Sequence, residues 1–100
     1  MIGKQEALEA LKEVIDPEMG INIVDLGLIY RLDIGDKGVE VDFTLTYPGC
    51  PIGPEIHQAI VETLKEAAST DAVSANVVWE PLWGPERMSE EARLTLGYPI

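Results

Sequence analysis

The chain of 100 residues holds one cysteine, one histidine and only seven lysines and arginines. A single thiol rules out an intramolecular disulfide and a cysteine-rich zinc site, and it fits a reducing compartment, so a cytoplasmic location is expected. Against the seven cations stand 18 Asp and Glu, for a formal net charge of −11. Binding to nucleic acid or an anionic membrane surface calls for clustered Lys and Arg, so this balance argues against both. It leaves room for a basic partner. No apolar run approaches the roughly 18 residues that cross a bilayer. The start, Met1-Ile2-Gly3-Lys4-Gln5-Glu6, has no basic stretch followed by an apolar one, so no signal peptide is expected. Linkers, internal repeats and low-complexity tracts are missing too, as are glycine-rich phosphate loops and metal-spaced His/Cys clusters. Residues 1–100 are therefore read as one small domain.

What is present has the composition of a globular core: 46% hydrophobic and 25% charged residues, which sets aside disorder and coiled coil. Residues 4–15 place Ala7, Leu8, Leu11, Val14 and Ile15 at helical spacing between charged residues, which predicts an amphipathic helix. Pro17 disfavours helical geometry at Asp16 and should stop it near Ile15. The segment from Met19 to Gly27 shows neither period and reads as a structured loop or short bridge. From Leu28 to Ile34 a strand is expected, with Leu28, Tyr30, Leu32 and Ile34 in one register. Gly35-Asp36-Lys37-Gly38 is a turn. Val39, Val41, Phe43, Leu45 and Tyr47 then alternate with polar residues, predicting a half-buried strand that forms a hairpin with the one before. A second helix should open at Pro54 and bury Ile56, Ala59, Ile60, Thr63, Leu64 and Ala67. Val73 to Trp79 alternates as a third strand. Ser89 suits the N-cap of a short helix from Glu90 to Leu96, with Gly97 past its end. The order α-β-β-α-β predicts an α+β, two-layer fold: a small three-stranded mixed sheet with helices on one face and a C-terminal tail carrying the short helix.

The chemistry concentrates before the second helix. Residues 48–54 contain three prolines and two glycines around Cys50. A free cysteine is commonly a small core hydrophobe. The Pro/Gly frame, placed just ahead of a helix N-terminus, instead favours a presented thiol whose anion the helix dipole would stabilise, unless a carboxylate lies against the sulfur. His57, in the helix's first turn, is within range of a Cys–His pair by spacing, but nothing fixes a third member, and a solvated histidine is the favoured reading. Asp16 and Glu18, either side of Pro17, could hold a cation or do acid–base work. The commoner role of an Asp before Pro at a helix exit is to satisfy turn N–H groups, and that role is expected of Asp16. Trp79, Leu82 and Trp83 are expected to cover the core or a sheet edge, an exposed tryptophan being a mark of a partner site.

Three ordered motifs resemble one family across the whole chain. Asp16-Pro17-Glu18-Met19-Gly20-Ile21-Asn22-Ile23-Val24-Asp25-Leu26-Gly27-Leu28-Ile29-Tyr30 is similar to its N-terminal signature. Thr44-Leu45-Thr46-Tyr47-Pro48-Gly49-Cys50-Pro51 resembles its cysteine loop. Pro81 to Ser89, followed by Ala92-Arg93 and Leu96-Gly97, resembles its C-terminal signature. The family is the SufT/PaaD-like group of iron–sulfur cluster assembly proteins. The resemblance implies a fold like the NifU C-terminal domain and a non-enzymatic accessory role in cluster assembly or transfer. Cys50 would be the working thiol and a transient cluster ligand, with Asp16, Glu18, Thr46 and Trp83 as further candidates. Implied partners are iron–sulfur scaffold or client proteins, with a homodimer compatible. The alternative is an adaptor or maturation subunit for a multicomponent oxygenase such as the phenylacetate-degradation complex. The cysteine-rich C-terminal extension usual in such members does not follow Leu96-Gly97 here, which disfavours it. Iron–sulfur clusters take four thiolates or equivalents. One cysteine therefore implies no permanently bound cluster in a monomer.

Overall fold

Val39, Val41 and Phe43 alternate with Glu40 and Asp42, and the first three are buried while Glu40 faces solvent. In the computed structural model, which describes residues 2–97, this segment is β4 (Gly38–Phe43), paired antiparallel to β3 (Ile29–Gly35) and parallel to β5 (Val73–Val77). The sheet order is β3-β4-β5, so the sheet is mixed, as expected. Gly38 is required at its turn: at φ +134° a Cβ would lie 2.2 Å from the Ala72 carbonyl oxygen at the entry to β5.

Parallel neighbours need a crossover, and α2 (Gly53–Ala68) provides it. Its buried residues Ile56, Ile60 and Leu64 recur at i, i+4, i+8 and share one core cluster with Val39, Val41 and Phe43 of β4. Ala7 and Leu11 of α1 (Lys4–Leu11) complete the same layer. Fully burying a side chain of this size contributes roughly 1.5–3 kcal/mol relative to exposure, so this stripe is the main source of cohesion between layers.

Several boundaries differ from the sequence reading for identifiable reasons. α1 ends at Leu11, not Ile15, because Val14 and Ile15 leave the helix for a ladder. Ile23 N–H donates to the Val14 carbonyl, and β1 (Ile15–Asp16) pairs with β2 (Ile21–Asn22). The bridge expected between Met19 and Gly27 is this ladder. β4 stops at Phe43 rather than Tyr47, since β3 begins at Ile29 and β5 ends at Val77, leaving Leu45–Tyr47 no strand to pair with. β5 likewise ends before Trp79. The register of β3 shifts between Ile29 and Arg31, so Ile29, not Tyr30, pairs with Phe43 and joins the core. A bulge of this kind breaks period-two reading by one residue.

The C-terminal segment runs back over the molecule. Tyr30 hydroxyl donates to the Pro81 carbonyl (2.9 Å), and the Arg87 guanidinium sits 4.7 Å from the Tyr30 ring centre. A 3₁₀ turn (Pro85–Arg87) leads into α3 (Glu90–Leu96), which is capped as expected: Ser89 Oγ accepts from Ala92 N–H, and Gly97 turns the chain at φ +82°. Ser89 N–H donates to the Asp25 carbonyl at 2.7 Å, which ties this segment to the loop after β2.

Candidate functional site

Two loops distant in sequence meet at Cys50. The first is the turn after β1. Asp16 is 1% exposed, and its Oδ1 accepts from the N–H groups of Glu18 (2.8 Å) and Met19 (3.3 Å). The turn-satisfying role expected of Asp16 is the geometry observed. With Pro17 fixing φ between them, this turn aims the Glu18 carboxylate outward. The second is the Pro/Gly-framed loop between β4 and α2, which carries Thr46, Tyr47 and Cys50.

Glu18 bridges the loops. Its Oε1 lies 3.6 Å from Cys50 Sγ, and both of its oxygens lie 3.3 Å from the Tyr47 hydroxyl. The phenol and the thiol are the donors, and the carboxyl oxygens of Glu18 accept. Tyr47 was not a sequence candidate. The signal available was a hydroxyl-bearing aromatic three residues ahead of the cysteine. Thr46 is half-buried on the same loop.

Cys50 corrects the expectation of a thiol held out to solvent with a stabilised anion. It is only 7% exposed. Burial pushes its thiol above the ordinary range, the Ile52 N–H pulls it partly back, and the nearby Glu18 carboxylate pushes it up again. The helix terminus does act, through Ile52, but desolvation and a carboxylate at contact range outweigh it. The condition under which the dipole loses is met, by Glu18 rather than Glu55. Cys50 nonetheless borders open space: it is one of the residues lining a groove of about 770 Å³ that also includes His57, Val77 and Trp79.

His57 does not pair with Cys50, nor is it solvated. It is half-buried, its Nε2 lies 3.0 Å from the Ala75 carbonyl oxygen, and its ring is 5.9 Å from that of Phe43. This histidine ties α2 to the edge of β5. Trp83 is an anchor rather than an exposed recognition residue: Nε1 donates to the Leu26 carbonyl at 2.7 Å, and the ring packs on the core. The exposed apolar residues of that stretch are Trp79 and Leu82.

As metal donors, the site has one thiol and one adjacent carboxylate. Among the described residues no group of three or more His, Cys, Asp or Glu side chains is placed to hold a metal ion. No helix among them is long and apolar enough to cross a membrane.

A three-stranded mixed sheet under two helices makes this an α+β fold, and the Asp-Pro-Glu turn laid against the Pro/Gly-framed cysteine brings together two of the motifs on which the family resemblance rests. Residues 4–77 match the sequence profile described as iron-sulfur cluster assembly protein, and the chain belongs to that family. It is similar, at 46% identity over 85 residues, to the Fe-S protein maturation auxiliary factor SufT of Staphylococcus aureus, with 84% of this chain and 97% of that one covered. It is 36% identical over 95 residues to the Fe-S protein maturation auxiliary factor YitW of Bacillus subtilis, covering 94% and 93%. Among solved structures, a domain of unknown function from Bacillus anthracis superposes with a TM-score of 0.89 at 34% identity, covering 96% of this chain and 92% of that one.

Proposed function

We propose that the protein is a non-catalytic accessory factor that assists iron–sulfur cluster assembly or transfer in the cytoplasm through Cys50. The observation that carries this reading is the pairing of Cys50 Sγ with the Glu18 carboxylate at 3.6 Å, in the wall of an open groove. A thiol there stays protonated and protected until iron arrives, and the adjacent carboxylate is placed to take its proton when the sulfur binds metal. One thiolate cannot complete a cluster's coordination, so the cluster is cargo, held transiently. The remaining ligands come from a scaffold or client protein, from a small thiol, or from Cys50 of a second copy. Asp16 acts by aiming Glu18. Thr46 stays a further candidate on the cysteine loop, half-buried four residues ahead of Cys50. Trp83 supports the fold beneath the C-terminal segment rather than touching cargo.

The test is anaerobic reconstitution with iron and sulfide, comparing the wild type with Cys50→Ser. Visible absorption and iron content are read together. The wild type should gain sulfur-to-iron absorption that the variant lacks. Equal, colourless and iron-free products from both would overturn the carrier reading.

A further inference from the structure

We propose that the groove beside Cys50 docks an extended, apolar segment of a partner protein, with lysine or arginine at its ends, laid along the open end of β5 at Val77. Three independent observations converge on this occupant.

The first is apolar surface that the described residues do not cover. Leu45, Pro54, Val61, Val77 and Trp79 line about 770 Å³ of open space, and Val77 and Trp79 remain 40% and 37% exposed. The second is an unpaired ladder. In a parallel pair alternate residues bond to the neighbour, and the rungs from Val39 N–H to the Ala72 carbonyl and from Val78 N–H to the Phe43 carbonyl set the phase. Val73, Ala75 and Val77 therefore turn their backbone groups away from β4. Val73 N–H is taken up by the Asp71 carbonyl, and the Ala75 carbonyl by His57. The N–H groups of Ala75 and Val77 and the Val77 carbonyl have no partner among the described residues. An edge with such groups beside an apolar groove receives an extended strand, whose backbone fills the ladder and whose alternate side chains enter the groove.

The third is charge. No Lys or Arg lines the groove, and Lys65 lies a full turn past Val61. The rim carries Glu18 against Cys50, and Glu62 bonded to Nε2 of the groove residue Gln58 at 3.0 Å. Such a rim selects basic flanks. It also disfavours a second copy as the occupant, because two chains of net charge −11 would set their acidic rims against each other. The docking claim rests on the groove, edge and rim alone. That docking delivers a partner to the thiol rests on the proposed role of Cys50.

The test is fluorescence anisotropy on the full chain with a labelled peptide of alternating valine and threonine flanked by lysines. Saturable binding is expected, at least tenfold weaker when glutamates replace the lysines and at least tenfold weaker when alternate amides are N-methylated. Glu62→Lys, at an exposed position, should reduce the preference for the lysine flanks several-fold without affecting folding. Peptide binding is read on the iron-free wild type, so saturable binding by a chain that fails to load iron would count against the role of Cys50 alone and separates the two readings. Equal affinity for the lysine and glutamate peptides, or no effect of N-methylation, would overturn the proposal. So would sedimentation showing a dimer that Val77→Lys dissociates, since a second copy would then be the occupant.

Discussion

The Glu18 carboxylate lies 3.6 Å from the sulfur of Cys50, 32 residues further along the chain. A carboxylate at that range opposes formation of a thiolate, adding to the desolvation that already raises the thiol. Glu18→Gln removes the charge and keeps the shape. Alkylation of Cys50 by iodoacetamide near neutral pH should become several-fold faster, and the midpoint of its pH–rate profile should move down. An unchanged profile would show that Glu18 does not govern the thiol.

The same shifts set an alkaline limit on stability. Cys50 and Tyr47 are both raised in the folded chain, above ordinary values of 9.0 and 10.0. The native state therefore holds their protons more tightly than the unfolded chain does. This contribution is fully present below pH 9.0 and is lost as pH rises toward the folded values. Urea midpoints should fall from pH 8 to pH 10.5. Cys50→Ser should show a shallower fall, with the Tyr47 component remaining.

Much of the scaffold is legible in the residues. Val39, Val41 and Phe43 declare a half-buried strand, Ile56, Ile60 and Leu64 a helix face, and Ser89 with Gly97 both ends of α3, because each rests on local periodicity or local capping. What escapes is non-local or too short for a period. The Tyr30 bulge shifts one strand by a residue that alternation cannot register. The ladder of Ile15–Asp16 with Ile21–Asn22 is two residues long. At the site, Cys50 and the Asp16 turn are visible in sequence, but the meeting of Glu18, Tyr47 and Cys50 depends on how two loops dock. The sign of the thiol's shift depends on that contact.

Gly27 joins the first motif to the last. At φ +79° it approaches the chain so closely that a Cβ would lie 2.2 Å from the Arg87 carbonyl oxygen. Gly27→Ala meets both left-handed strain and a backbone clash, and should destabilise by about 1–3 kcal/mol. The C-terminal segment would lift first. Amide hydrogen exchange should rise at Ser89, whose N–H is bonded to the Asp25 carbonyl, before it rises in β4. Uniform loss of protection across the chain would show instead that the segment is not a separable unit.

Trp83 tests whether the aromatic stretch is architecture or recognition surface. Its indole donates to the Leu26 carbonyl at 2.7 Å, and its ring packs on the core. Trp83→Phe keeps most of the apolar contact and leaves that carbonyl without its donor, at a cost of about 1 kcal/mol. Trp83→Ala also opens a void, with a total loss of about 3–5 kcal/mol. Trp79 is 37% exposed at the groove, and Trp79→Ala should cost far less stability. Equilibrium urea unfolding of the three variants checks this order. If Trp79→Ala were the most damaging, the groove would already be filled by the chain's own packing, and Trp83 would be the residue free to meet a partner.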